Sequence, residues 1–419
     1  MKRQCLHCRF LFYFDLNFVR LEGKKILIGI TGSIAAYKII LLVRLLTKAG
    51  AEVQVVMTQS ATQFVSPLVL STLTRKPVLT DLSSANEWAN HVMLGRWADY
   101  MLIAPLSCNT LSKMSHGICD NLLLAVYLSA TCKVAVAPAM DEDMWLHATT
   151  KENIKRLQSQ NVEVIDVDSG SLASGLSGEG RMAEPESLFS FLKQQLYQTK
   201  ILKNKRVLIT AGPTYEHLDP VRFIGNFSSG KMGIALAEAF FLAGAEVHMV
   251  LGPTNLRPNF AGIKIYPVVS AMEMYDQVMQ LSGQTDLFVM SAAVADYKPK
   301  EVLTHKHKKN SGDLKIELEI NPDILQIVGQ QKSKDQYVVG FALETEHAKE
   351  NAKKKLQSKN ADCIILNSLE HPEAGFGKDT NKVSILFAKG HELDFPVKSK
   401  TDLAADIVLC ISKELPHAN

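Results

Sequence analysis

Hydrophobic and polar positions along this chain fall into blocks. From Lys24 it reads KKILIGITGSIAAYK: a short apolar run, a turn of small residues, then apolar positions at helical spacing from Ile34 to Lys48. A second apolar run, Glu52 to Met57, follows Ala49-Gly50-Ala51. Continuous apolar runs suit strands buried on both faces, and a single apolar stripe suits a covering helix, so this stretch predicts a β-α-β unit. Further runs, Tyr100 to Ala104 and Lys133 to Ala137, each lead into a proline, with helix-like stretches between them. The same order restarts at Lys205 with KRVLITAGPT, a Gly/Ser turn at Ser228 to Gly230, a helix-period segment to Leu242 and a second AGAEV at Ala243. The expected fold class is α/β, with two Rossmann-like domains, each a mainly parallel sheet with helices on both faces. A terminal helix, LFSFLKQQL from Leu188, and a basic stretch after it set the expected bounds: a tail at 1–22, domains at 23–195 and 205–419, and a linker at 196–204.

Composition narrows the class. Of 419 residues, 47% are hydrophobic and 21% charged, the balance of a packed protein with its own cores. The formal charge of +3 is too small for the basic footprint of a dedicated nucleic-acid binder. Seven cysteines (Cys5, Cys8, Cys108, Cys119, Cys132, Cys363, Cys410) are odd in number and scattered, which predicts a reducing cytoplasm and no disulfides. Cys5 and Cys8 form a lone C-x-x-C without a second pair, so no zinc site is expected and no metal ligand is assigned. The first 22 residues are basic, then aromatic (Phe10, Phe12, Tyr13, Phe14, Phe18), with Asp15 and Asn17 breaking the run. They are too short and polar for a membrane span and lack a signal-cleavage pattern, so they read as a tail or an over-extended start; no membrane partner is expected.

Candidate chemistry collects after the predicted strands. Gly32 and Ser33 follow a strand and open a helix, where free N–H groups and the positive helix end suit a phosphate. Thr58 and Ser60 follow the second strand, Ser107, Asn109 and Thr110 the next, and Met140 the one beyond, all at the carboxyl edge where open α/β sheets bind ligands. The segments GSIAAYK at 32, HVMLGRWAD at 91, APLSCNT at 104 and PAMDEDMW at 138 resemble the flavin-dependent cysteine decarboxylase family, over residues 24 to 195. The resemblance implies FMN held by Gly32, Ser33, Ile34, Thr58, Ser60, Ser107, Asn109, Thr110 and Met140, with His91 acting near the substrate thiol and carboxylate. In that family the thiol is oxidised to a thioaldehyde so that carbon dioxide can leave, and the enethiolate is reprotonated by a flap cysteine while the reduced flavin returns its electrons.

Two positions depart from the family pattern. The flap here runs from Ala173 to Met182 with Ser174 at the acid position, and Asp141 stands where an asparagine would meet the substrate carboxylate. A thiol has a pKa of about 8.5 and an alcohol is far weaker, so Ser174 is a poor donor unless Glu179 or Asp168 helps. Two like charges about 4 Å apart repel by about 1 kcal/mol in water and about 4 kcal/mol at an effective dielectric near 20. Three readings stay open from sequence: a decarboxylase with rearranged acids, one that releases the enethiol, and an FMN-binding scaffold or regulatory module beside an active second domain.

In the second half, Ser228, Ser229 and Gly230 precede a helix, and Arg222 and Asn226 offer donors for an acyl phosphate or carboxylate. The whole run from Ala211 to Gly233 resembles the phosphopantothenate–cysteine ligase family, as do Ser291-Ala292-Ala293-Val-Ala-Asp296, Lys306-His-Lys308-Lys309, Asn321-Pro-Asp-Ile324 and Gly340-Phe341, within residues 203 to 415. The resemblance implies CTP held by Ser291, Ala292, Ala293, Asp296, Lys306, Pro322, Asp323, Ile324, Leu325, Phe341, Lys355 and Lys359, with Lys306 the catalytic lysine. In the run AKKKLQSK, Lys353 and Lys354 are alternatives to that last pair. The implied reaction turns CTP and 4′-phosphopantothenate into an acyl-cytidylate and pyrophosphate, after which the amine of cysteine forms the amide. Mg²⁺ would accompany the triphosphate, although no carboxylate cluster marks a protein metal site. Together the halves resemble the bifunctional bacterial family of coenzyme A biosynthesis, which implies a homo-oligomer with decarboxylase trimers and ligase dimers.

Overall fold

The first apolar run is β1 (Lys25–Ile30), flanked by β2 (Glu52–Met57) and β3 (Tyr100–Leu106); β4 (Lys133–Pro138) and the short β5 (Glu163–Val164) extend the sheet. In this computed structural model the five strands are parallel, in the order β2-β1-β3-β4-β5. The structure describes residues 21–84, 87–88, 90–306, 315–344, 347–368 and 378–415. Side-chain alternation along β1 explains the helices on both faces. Ile26, Ile28 and Ile30 join one core with Ile39, Leu42 and Leu46 of α1 (Tyr37–Lys48), whereas Leu27 joins a second core with Leu111, Leu123 and Leu157. Cutting Leu42 back to alanine would cost about 2–5 kcal/mol, the usual loss for a buried leucine.

Around this sheet lie α2 (Pro67–Thr74), α3 (His91–Trp97), α4 (Cys108–His116), α5 (Leu122–Ser129), α6 (Glu142–Leu146), α7 (Ala148–Ser159) and α8 (Pro185–Tyr197). An antiparallel hairpin, β6 (Asp168–Ser171) and β7 (Ser177–Arg181), stands between β5 and α8. Register pairs Ile30 with Met57, Gly29 with Ile103, and Leu106 with Pro138, so the loops after four strands emerge along one edge.

The second unit repeats the plan with β8 (Arg206–Ala211), β9 (Glu246–Leu251), β10 (Lys264–Pro267), β11 (Leu287–Met290), β12 (Tyr337–Glu344), β13 (Cys363–Ser368), β14 (Val383–Phe387) and β15 (Glu392–Asp394). Their order is β10-β9-β8-β11-β12-β13-β14-β15; the first six are parallel and the last two add antiparallel. The main helices are α9 (Lys231–Leu242), α10 (Ala271–Ser282), α11 (Ile324–Gln331), α12 (Ala348–Ser358) and α13 (Lys400–Glu414). Val207 and Ile209 pack with Phe240 and Ile407 on one face, and Leu208 packs with Met274 and Val328 on the other. Among the described residues no helix is long and apolar enough to cross a membrane.

Two expected bounds change. Residues 1–20, with Cys5 and Cys8, lie outside the described residues, but Leu21 is fully buried and its N–H donates to Ala49 O at 2.6 Å, so it belongs to the first core and not to a tail. The chain divides into its two units between Tyr197 and Gln198. Most of the anticipated linker is built into the second unit: Thr199 N–H donates to Leu242 O, Leu202 N–H to Ala243 O, and Leu202 is buried. A single leucine anchors each of these segments, and one residue carries no periodic signal.

Candidate active sites

In the first unit the chain passes from β1 outward to β2 on one side and later to β3 on the other, opening a crevice at the carboxyl ends of β1 and β3. Thr31 fastens it: its hydroxyl donates to Pro105 O at 2.7 Å and accepts the N–H of Ser107 at 2.8 Å. A side chain at Gly32 would put its Cβ 2.7 Å from Ser60 Oγ, which is hydrogen-bonded to Thr58 Oγ1 at 3.1 Å. Ser33 caps the short 3-10 turn Ile34–Ala36 that leads into α1, accepting the N–H of Ala35 at 3.3 Å. Ser107 caps α4 in the same manner, accepting the N–H of Thr110, with the two hydroxyls 3.2 Å apart. Neither helix start carries an acidic residue in its first turn. Two helix ends and several hydroxyl groups thus gather where an anion would be stabilised. Ile34 and Asn109 are exposed beside them.

The remaining first-unit residues fall on three other elements. Met140 follows β4, packs against the core of that face, and donates its N–H to Gly180 O at 3.0 Å. Asp141 caps α6, with Oδ1 accepting the N–H of Glu142 at 2.9 Å. His91 opens α3, which Asn90 caps. Ser174 is exposed at the tip of the β6–β7 hairpin and accepts the N–H of Leu176 at 3.3 Å. Of the two proposed helpers, Glu179 accepts the indole N–H of Trp145 at 3.0 Å, and Asp168 is exposed at the hairpin's foot, in register with Arg181.

In the second unit a pocket of about 240 Å³ opens at the carboxyl ends of β8, β11 and β12. Ala292, Asp296, Pro322, Asp323, Ile324, Leu325, Phe341 and Lys355 line it, with Thr210 and Asn321, which sequence reasoning did not assign to the site. Thr210 was hidden as an ordinary strand residue, although it ties the loop in place: Ser291 Oγ donates to Thr210 O at 2.6 Å, and Ala292 N–H to Thr210 Oγ1. Asn321 joins two of the segments that line the pocket, donating N–H to Asp296 O and Nδ2 to Ala295 O, both at 2.9 Å. Lys355 Nζ donates to Phe341 O at 2.9 Å, and burial holds its pKa below that of an ordinary lysine, against the opposing pull of Glu344 and Asp323. Lys359 pairs with Asp323 at 2.7 Å. Lys353 instead pairs with Glu392 and Lys354 is exposed, so of these four lysines Lys355 alone lines the pocket, and Lys359, just past the end of α12, does not.

Other second-unit residues lie outside this pocket. Lys306 is exposed; Lys308 and Lys309 lie outside the described residues. Asn226 directs its amide N–H groups at Ala293 O and Val294 O, at 3.2 and 3.0 Å. The donors expected to meet a ligand are therefore engaged in holding the loop of Ser291 to Asp296. Ser228 Oγ accepts the N–H of Gly230 at 3.4 Å, and Gly230, at φ +77°, caps α9. Arg222 donates Nε to the buried Asp219 at 2.9 Å and, with it, borders a second cleft of about 350 Å³ that also carries Lys300 and Lys315. Asp219 was legible only as a motif member, yet its carboxylate also accepts the N–H groups of Val221 and Arg222. Among the described residues no group of three or more His, Cys, Asp or Glu side chains is placed to hold a metal ion.

Comparison with known proteins covers both units. A family model described as Flavoprotein matches residues 18–197, and one described as DNA/pantothenate metabolism flavoprotein C-terminal domain matches residues 202–415. The coenzyme A biosynthesis bifunctional protein CoaBC of Bacillus subtilis (strain 168) is 40% identical over 392 residues, 93% of this chain and 96% of that protein. The chain belongs to the CoaBC family. A cysteine/cysteine sulfinic acid decarboxylase from an unknown prokaryotic organism is 47% identical over 350 residues, 82% of this chain and 98% of that relative. A crystal structure of the C-terminal domain of a CoaBC protein aligns at 40% identity with a TM-score of 0.44, covering 52% of this chain and 98% of that one. Both halves of a CoaBC protein are thus matched by one continuous chain.

Proposed function

We propose that the chain performs two steps of coenzyme A biosynthesis: CTP-dependent joining of cysteine to 4′-phosphopantothenate in the second unit, and FMN-dependent decarboxylation of the phosphopantothenoylcysteine so formed in the first. The observation that carries this is the second-unit pocket, which draws Ala292, Asp296, the turn from Pro322 to Leu325, Phe341 and Lys355 from four separate segments into one cavity. Its apolar wall suits a base and ribose, and Lys355 and Lys359 suit a triphosphate, with Mg²⁺ brought by the nucleotide and Lys306 reaching the transferring phosphate. The carboxylate of phosphopantothenate attacks the α-phosphorus and pyrophosphate leaves; the amine of cysteine then attacks the acyl carbon and CMP leaves. Arg222, held in place by Asp219, offers guanidinium donors to the anionic acid in the second cleft, where Lys300 is paired with Glu317 and Lys315 and Glu301 complete a lining of balanced charge.

The first unit fits FMN. The turn at Gly32, where Ser60 fills the space of a side chain, and the acid-free starts of two helices suit the phosphate, and Ser33, Thr58, Ser60, Ser107, Asn109 and Thr110 offer polar contacts. Bound FMN supplies the oxidation of the substrate thiol and the later return of its electrons. Asp141 faces the carboxylate end of the substrate, a like-charge approach that weakens binding by about 1 kcal/mol in water and about 4 kcal/mol at an effective dielectric near 20; His91 hydrogen-bonds the substrate from the start of α3, and Ser174 holds the flap position from which the product carbon regains its proton. Assembly into a cytoplasmic homo-oligomer, with trimeric first units and dimeric second units, belongs to the same reading.

The test is to incubate the purified chain with 4′-phosphopantothenate, cysteine, CTP and Mg²⁺ and follow the products by mass spectrometry. 4′-Phosphopantetheine is the expected end product. Phosphopantothenoylcysteine that accumulates unchanged would limit the chain to ligation. Cysteamine formed from cysteine alone would move the first unit's substrate to the free amino acid.

A further inference from the structure

The β6–β7 hairpin is hydrogen-bonded to the segment from Met140 to Trp145 at two adjacent positions, Glu179 and Gly180. Glu179 accepts the indole N–H of Trp145 at 3.0 Å, and Gly180 O accepts the N–H of Met140 at 3.0 Å. Gly178 and Gly180 permit the close approach: a Cβ at Gly178 would run into the Glu142 carboxylate, and one at Gly180 into Met140 O. Trp145 is buried, and Lys151 Nζ lies 4.0 Å from the centre of its ring. An exposed carboxylate such as Glu179 can exchange one partner for water at little cost, whereas the indole N–H of the buried Trp145 loses the acceptor it has among the described residues if the hairpin lifts. The contact therefore favours the docked hairpin.

We infer that Glu179 is a positioning residue for decarboxylation: its carboxylate latches the hairpin to α6 and so holds Ser174, at the hairpin tip, in fixed relation to Asp141, which caps the same helix. This rests on the decarboxylase reading of the first unit. The competing role for Glu179 is proton donor to the product carbon. The two are separable, because a latch needs only an oxygen acceptor, which glutamine retains, whereas an acid needs an ionisable carboxyl, which glutamine lacks.

The experiment uses the full-length, flavin-loaded chain and its Glu179→Ala, Glu179→Gln and Trp145→Phe variants. Protease cleavage within residues 168–181 is timed, and kcat and KM are measured on supplied phosphopantothenoylcysteine, with flavin content per chain as the check on folding. Glu179→Ala is expected to speed cleavage and lower kcat/KM, each by about tenfold, the scale of one charge-assisted hydrogen bond. Glu179→Gln is expected to restore both, and Trp145→Phe to speed cleavage as Glu179→Ala does. Cleavage of Glu179→Ala at the wild-type rate would overturn the latch. Turnover of Glu179→Gln as poor as that of Glu179→Ala, with wild-type cleavage, would overturn positioning in favour of proton transfer. Should the wild-type chain fail to decarboxylate, the cleavage series still decides the latch, so the two readings fail separately.

Discussion

Gly32 acts through the atoms it lacks. With a Cβ there, Ser60 would have to leave Thr58, and the turn that opens toward α1 would widen. Overpacking of this kind costs about 1–3 kcal/mol, so Gly32→Ala is expected to bind flavin roughly 5- to 150-fold more weakly, read as visible absorbance per chain at unchanged circular dichroism. Full flavin content in the variant would remove Gly32 from the site. Lys355 acts through its charge, and burial shifts that charge to lower pH. In the proposed CTP site the ammonium would meet the triphosphate below its lowered pKa; between that point and the ordinary lysine value near 10.4 it is neutral while an exposed lysine is still charged. The KM for CTP is therefore expected to rise with pH within that window, and Lys355→Arg, whose guanidinium stays protonated, to abolish the rise. In the same window the unfolded chain binds the extra proton, so stability gains slightly as pH increases, opposite in sign to the loss of binding. An identical alkaline rise in the arginine variant would assign it to another group.

At the scale of elements, strand ends are tied as well as strand middles. Glu246 at the start of β9 accepts Lys264 Nζ of β10 at 2.6 Å, Arg206 Nε of β8 at 3.1 Å and His248 Nε2 at 3.1 Å. Those partners, Lys264 first and then His248, pull its pKa down to about 2. A lowered carboxylate pKa means that the stabilisation is complete above the ordinary value near 4.3 and is lost as pH falls through about 2. Because Glu246 is 40% exposed, water screens the group, and Glu246→Gln is expected to cost no more than about 1 kcal/mol at pH 7. Urea midpoints should show that gap shrinking toward pH 2; an equal gap at both pH values would tie the loss to packing. Sequence made the elements legible where burial was continuous, as in β3, all seven residues of which are buried. It did not foretell β15, whose Glu392–Asp394 has no apolar run, and only the phase of α12 separates Lys353 from Lys355. The Trp145–Glu179 contact joins residues 34 apart through a hairpin whose docking no local pattern encodes.

At the scale of the whole chain, each unit encloses its own pair of cores: Ile28 and Leu27 anchor those of the first, Ile209 and Leu208 those of the second. The candidate sites divide in the same way, with the flavin residues between Gly32 and Met140 and the nucleotide residues between Ser291 and Lys359. A ligand that binds only the folded form stabilises by RT ln(1 + [L]/Kd), about 2.7 kcal/mol at a hundredfold excess over Kd. For units of this size each kcal/mol moves the midpoint by roughly 2–4 °C, so a saturating ligand should raise one transition by roughly 5–10 °C. Scanning calorimetry of the flavin-loaded chain is therefore expected to show two transitions. CTP with Mg²⁺ should raise one, stripping the flavin should lower the other, and Lys355→Ala should remove the CTP shift without touching the flavin-dependent one. A single transition that either ligand raises would mean that the units unfold as one cooperative body, and that occupancy of one site is felt at the other through that shared stability.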